Sequence, residues 1–168
     1  MLSKTLSQKL VSLMYLVGII MYVGGILSHI VIPNVLGTTD LYAIYYTAVY
    51  KQQSAYILIL PGLVLKLLAT LIESREYKQK PLWLKVQYAC MAFLTVNAFV
   101  FLVPMMPEMT ELAARNLDLG IISDSYQAHA EKEMIIGISN ALPLLVMVIL
   151  SAVGTKPHSK ICSTSINQ

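Results

Sequence analysis

Four long runs without charge constrain this chain more than any other feature. No charged residue occurs between Lys9 and Asp40, and residues 10–32 are almost wholly apolar. From 54 to 72 the only charge is Lys66. Residues 86–107 carry none, and neither do 134–153. Crossing a bilayer takes about 20 apolar residues of helix at about 1.5 Å each. All four runs meet that length. A helix satisfies its own backbone hydrogen bonds, so a single segment can cross lipid only in that form. The pattern predicts transmembrane helices over 10–32, 54–72, 86–107 and 134–153.

Composition agrees. Of 168 residues, 57% are hydrophobic and 12% charged, against about 25% charged in an average soluble domain. Mean hydropathy is +0.67. So few charges could not cover a soluble core. Disorder, a nucleic-acid-binding tail protein and a disulfide-stapled scaffold are excluded, and the lipid bilayer is the implied solvent. Length allows one membrane domain over 1–168, with a polar tail over 156–168. Cys90 lies in an apolar run and Cys162 in the tail, and they form no CxxC. The first run opens on Lys4 and Lys9 like a secretion signal. Its apolar core exceeds the usual 7–15 residues and no small-x-small site follows, so it reads as a retained span.

Basic residues set the direction. Lys4, Lys9, Arg75, Lys78, Lys80, Lys85, Lys156 and Lys160 fall on one side, and only Lys51, Arg115 and Lys132 on the other. Seven of nine acidic residues lie on the basic-poor side. Both termini are therefore expected to be cytoplasmic. Lys66, near the later end of the second span, is expected to snorkel toward the basic-rich side. Trp83 and Tyr88 suit an inner-interface anchor and Tyr56 an outer one.

The outer connections carry helix signals. Residues 37–53 are rich in tyrosine, with Thr39 or Asp40 as a cap, and are expected to form a helix lying in the interface. Residues 108–117 should prolong the third helix beyond the bilayer and end within 116–120. Ser123 or Asp124 should cap a helix running through His129 into the fourth span. No internal repeat or low-complexity tract occurs.

An ionisable or strongly polar residue within a span is a functional hypothesis by default. Those here are His29, Lys66, Asn97 and Asn140, with His129 and Glu133 at a boundary. Helical spacing puts Gly18, Tyr22, Gly25 and His29 on one stripe of the first helix. His129, Glu133, Gly137 and Asn140 share a stripe on the fourth, and Asn97, Phe101, Pro104 and Glu108 on the third. Asn97 and Asn140 lie at similar depth, which predicts a hydrogen bond holding their helices together. His29, His129, Glu133 and Glu108 could build a site under the outer face. Two imidazoles there could ligate haem iron or a divalent metal, or a histidine and a carboxylate could relay a proton. The plainer alternative is that these groups hydrogen-bond locally or face water. Pro61-Gly62 and Pro143 should kink the second and fourth helices. No GxGxxG, Walker loop, HExxH, CxxCH or GxSxG occurs, which argues against ATP-driven or hydrolytic chemistry.

Several short motifs recur in a telling order. They are Val23-Gly24-Gly25 and Ile30-Val31-Ile32-Pro33 on the first helix, and Leu60-Pro61-Gly62 on the second. Trp83-Leu84-Lys85 opens the third, and Leu102-Val103-Pro104 ends its apolar part ahead of Arg115. The fourth closes near Val148, before Lys156-Pro157. Over about 10–157 this order resembles a family of small bacterial four-helix integral-membrane proteins of unknown function. The resemblance implies a four-helix bundle in a bacterial inner membrane and no particular activity. In layout the chain is distantly similar to four-helix membrane oxidoreductases of the bacterial protoporphyrinogen oxidase type, whose histidines do not match residue by residue.

The sequence thus predicts an all-α, antiparallel four-helix membrane bundle with helical extensions on the outer face. Its leading functional reading is a non-enzymatic accessory or small-molecule-binding protein, as a homo-oligomer or with a membrane partner subunit. One alternative is an oxidoreductase holding haem or quinone through His29 and His129. Another is a small-solute transporter acting as an oligomer.

Overall fold

The structure, a computed structural model, describes residues 2–75 and 81–154, and the side chains of 8–75 and 81–150. The expected tail over 156–168 and the middle of the charged connection, 76–80, lie outside the described residues. Among the described residues the chain is helical, without strands. The helices are α1 (Leu2–Leu36), α2 (Leu41–Ser54), α3 (Leu60–Ser74), α4 (Leu82–Val96), α5 (Val103–Leu119) and α6 (Asp124–Gly154). Wide π-type turns at Ala55–Ile59 and Asn97–Leu102 join α2 to α3 and α4 to α5. Four continuous stretches result, over 8–36, 41–74, 82–119 and 124–150, each long and apolar enough to cross a membrane.

Both π-type turns have the same chemical origin. Each ends two residues before a proline, Pro61 or Pro104. Proline offers no N–H to the carbonyl four residues back, and its ring crowds that carbonyl. The preceding turn widens instead. The Leu60 amide bonds the Ala55 carbonyl and the Val103 amide that of Ala98, five residues apart in each case. Pro61 therefore shapes the second span as its Pro-Gly pair predicts.

The caps follow local chemistry. Asp40 is extended (φ −83°, ψ 128°) and its carboxylate accepts from the Ala43 amide at 2.9 Å. Gly120, at φ 69°, closes α5 in the left-handed conformation that glycine adopts without strain. The Ser123 hydroxyl accepts from the Tyr126 amide at 3.4 Å as α6 begins.

The expected interfacial helix over 37–53 is replaced by α2, which runs on through the π-type turn into the second span. Its face of Ile44, Thr47 and Ala48 is buried, and it packs along α5. Its other face leaves Tyr42 and Tyr46 exposed.

α1 packs along α3, and α6 packs along α4 and α5. The two pairs are clasped at the end of the bundle away from the start of α1, where α2 lies on α5. The core between them contains Tyr22, Ile59, Leu63, Met91, Leu94 and Met147. Large apolar side chains such as Ile20, Leu27, Ile138 and Leu142 point outward, as lipid-facing helix surfaces do.

Candidate functional site

The polar side chains of the bundle gather at three depths. The first group, at the end where α2 lies on α5, begins with α2. Its stripe of Ile44, Ala48 and Ala55 continues the buried face of the second span, and Lys51 and Ser54 fall on that same stripe. Lys51 Nζ meets Glu133 Oε1 of α6 at 2.8 Å, with side chains 19% and 14% exposed. His129, one turn earlier on α6, places Nε2 3.0 Å from Glu108 Oε1 of α5. Its Nδ1 donates to the Ser125 carbonyl at 2.9 Å. Both ring nitrogens of His129 thus face oxygen atoms.

His29 of α1 turns to a different neighbour. Its Nε2 lies 2.6 Å from Ser54 Oγ, and its ring meets the edge of Tyr50 with centroids 6.4 Å apart. The Ser54 hydroxyl is also within reach of the Lys51 carbonyl, at 3.2 Å. Whether the Ser54 hydroxyl donates to Nε2 or accepts from it follows the His29 tautomer. The two histidines share no partner. Among the described residues, no group of three or more His, Cys, Asp or Glu side chains is arranged to hold a metal ion.

At mid-depth Asn97 Nδ2 donates to Asn140 Oδ1 at 2.7 Å and to Ser139 Oγ at 3.3 Å, tying the third helical stretch to the fourth. Asn97 opens the second π-type turn, and that turn breaks the expected stripe beyond it. Asn97 is buried, while Phe101, Pro104 and Glu108 are exposed. The extra residue in the turn rotates the faces, so the inward stripe resumes at Met106, Met109 and Ala113.

The third group, toward the opposite end, centres on Lys66, which is fully buried rather than snorkelling. Its ammonium lies over the Tyr15 ring, 3.0 Å from the centroid, where the negative face of the π-system attracts a cation. The Tyr15 hydroxyl accepts from Gln87 Nε2 at 3.1 Å. Thr70 Oγ1 donates to the Lys66 carbonyl, and Tyr88 donates to the Thr70 carbonyl. One turn from Lys66, Gly62 sits against α1, where any side chain would collide with backbone.

A cavity of about 20 Å³ opens beneath the Lys51–Glu133 pair, lined by Thr47, Lys51, Met106, Met109, Tyr126 and Glu133 among others. Thr47 Oγ1 is buried without a hydrogen-bond partner among the described residues.

Every residue proposed from sequence therefore has a place. His129 and Glu108 meet, Glu133 takes Lys51, Asn97 takes Asn140, and His29 takes Ser54. Sequence reasoning missed Thr47, Lys51, Ser54, Tyr15 and Gln87 as parts of these groups. For Lys51 and Ser54 a signal existed: spacings of three and four residues from Ile44 through Ala48 to Ala55 carry the buried stripe across the presumed loop. For Tyr15 and Gln87 nothing local distinguishes them from ordinary span residues.

No family model matches the chain, and no curated protein or solved structure matches it.

Proposed function

We propose that this chain is a multi-pass protein of the bacterial inner membrane, with both termini cytoplasmic, that works as a non-enzymatic bundle. Its role is that of an accessory subunit or small-molecule holder, acting with a further copy or a membrane partner. Four apolar helical stretches support the membrane setting, and eight basic residues against three support the direction. The order of glycine, proline and tryptophan motifs supports kinship with small bacterial four-helix membrane proteins.

One observation carries the non-enzymatic reading. The polar side chains of the spans are used on one another: Lys51 with Glu133, Asn97 with Asn140, His29 with Ser54 and Tyr15 with Gln87. Groups so paired join helices. A catalytic group has to reach a substrate, and these reach neighbouring helices.

The test is purification from native membranes in mild detergent, followed by an absorption spectrum, metal analysis and native mass spectrometry. The expected preparation is colourless and free of stoichiometric metal, with a mass matching a homo-oligomer or a complex with another membrane chain. A stoichiometric chromophore or metal that disappears in His29→Ala or His129→Ala overturns the reading in favour of an oxidoreductase. For direction, a membrane-impermeant thiol reagent added outside should label Ser123→Cys and spare Arg75→Cys in a background without native cysteines. The reverse pattern overturns it.

A further inference from the structure

We propose that α2 is a strap that swings away from α5, with the Lys51–Glu133 ion pair as its latch. The position of the unmatched polar groups is the first argument. Among the described residues, two buried side-chain polar atoms lack a hydrogen-bond partner, Thr47 Oγ1 and Asn116 Nδ2. Thr47 belongs to the buried face of α2 with Ile44 and Ala48. Asn116 belongs to the buried stripe of α5 with Met109 and Ala113. These are the faces that α2 and α5 turn to one another. Thr70, Thr95 and Thr110 instead donate to carbonyls four residues back in their own helices. The Asn116 carbonyl oxygen is matched by the Ser123 amide at 3.1 Å, but its amide nitrogen is not. A buried polar group left unmatched opposes its own burial, because water satisfies it once it is uncovered.

Packing is the second. The buried apolar contact of α2 with α5 is made by Ile44, Ala48 and Ala113. The core between the spans contains Tyr22, Leu63, Met91, Leu94 and Met147. Apolar stabilisation scales with the area buried, so the smaller side chains hold α2 more weakly than the spans hold one another. The cavity of about 20 Å³, with Ala48 and Lys51 of α2 and Met106 and Met109 of α5 in its lining, interrupts the contact further.

Articulation is the third. Both helices of the clasp join their spans through a π-type turn, Ala55–Ile59 for α2 and Asn97–Leu102 for α5, each just ahead of a proline. Long helices bend at such turns and at prolines. At its other end α2 follows the non-helical residues 37–40, which begin at Gly37 with φ 84° and open space around it. α2 is thus a rigid helix between two articulations. Lys51 closes it, because its ammonium crosses to Glu133 of α6 at 2.8 Å. Opening breaks that pair, hydrates Thr47 and Asn116, and uncovers Ile44, Ala48 and Ala113.

The test is the distance distribution between spin labels at Tyr46→Cys on α2 and Asp118→Cys on α5, in the full chain without native cysteines, held in lipid nanodiscs. Both positions are exposed, so the labels leave the contact intact. The expected result is one main distance in the otherwise unaltered chain and a second, longer one several-fold more populated in Lys51→Met. Thr47→Val removes an unmatched hydroxyl and keeps the shape of the side chain. Added to Lys51→Met, it should lower the longer component several-fold. A single, unchanged distance with and without Lys51→Met means a fixed helix and overturns the proposal. A longer component that Thr47→Val leaves unchanged overturns it as well, since the unmatched group would then not favour opening. Should Lys51→Met fail to fold, Glu133→Gln releases the same latch and is read in the same way. The distances report on α2 whether the bundle is an accessory subunit or an oxidoreductase.

Discussion

Between α1 and α3 the backbones touch. A Cβ placed on Gly18 would lie 2.7 Å from the Lys66 amide nitrogen and 2.9 Å from the Gly62 carbonyl oxygen. One on Gly62 would lie 2.6 Å from the Tyr22 amide nitrogen. Between the third and fourth helical stretches the arrangement differs. Gly137 of α6 has open space around it, and the helices are joined by the Asn97–Asn140 bond and, nearer the start of α6, by His129 and Glu108. Both pairs solve the same problem. In lipid there is little hydrophobic drive between helices, so association relies on close van der Waals approach or on polar bonds. The first pair uses mainly the former and the second the latter. A glycine contact tolerates no added atoms, whereas a polar contact tolerates replacement of both partners at once.

The largest effect should come from Gly62→Leu. Its new side chain meets backbone atoms that cannot turn aside, so α1 must move off α3. The expected loss is about 3 kcal/mol, at the upper end of overpacking costs, measured by reversible unfolding in bicelles. Gly24→Leu, at a glycine with nothing within 4 Å, should cost little. Equal losses from the two would break the distinction between touching and open glycines.

Lys51→Met comes next. It leaves the Glu133 carboxylate partly buried without its partner. Breaking a fully buried pair costs about 3–5 kcal/mol. With both side chains still partly exposed, the expected loss is about 2 kcal/mol. Adding Glu133→Leu should recover most of it, and a double variant worse than Lys51→Met would show that the pair is not the contact that matters.

Asn97→Leu and Asn140→Leu should each cost about 1 kcal/mol, because each leaves one amide unmatched. A double-mutant cycle should give a coupling near 0.6 kcal/mol and no more than about 1.7 kcal/mol. A coupling of zero would remove the polar clasp from the comparison. Smallest of all is Glu111→Ala. Its ion pair with Arg115 spans one turn of α5, with side chains 64% and 66% exposed. The expected change is within about 0.5 kcal/mol, which sets the baseline for the others.

Much of this fold was legible in advance, for reasons visible at particular residues. The stripe of Gly18, Tyr22, Gly25 and His29 does face the second helical stretch. Tyr22 is buried, Gly18 and Gly25 lie against α3 and the turn before it, and His29 reaches Ser54. Asp40, Gly120 and Ser123 act at the helix ends as their chemistry requires. The stripe through Phe101 and Glu108 does not hold because an ideal helical period does not carry across a π-type turn. Pro104 marks that turn in sequence, but the extra residue it introduces is not visible in a helical period. On α6, Gly137 shares a stripe with Asn140 yet has open space around it, because spacing alone does not tell an inward glycine from an outward one. Lys66 was expected at the headgroups because a lysine stem is long enough to reach them. The Tyr15 ring, supplied by another helix, holds its ammonium instead.

The sequence by itself determined the four helical stretches and their caps. Each of these depends on groups within a few residues of one another: runs of apolar side chains, a carboxylate near a free amide. Tertiary structure alone decided which helix meets which, that α2 folds onto α5 rather than lying apart, and which polar groups pair. Those outcomes depend on a partner brought from elsewhere in the chain. In lipid, a buried charge or amide takes its character from that partner.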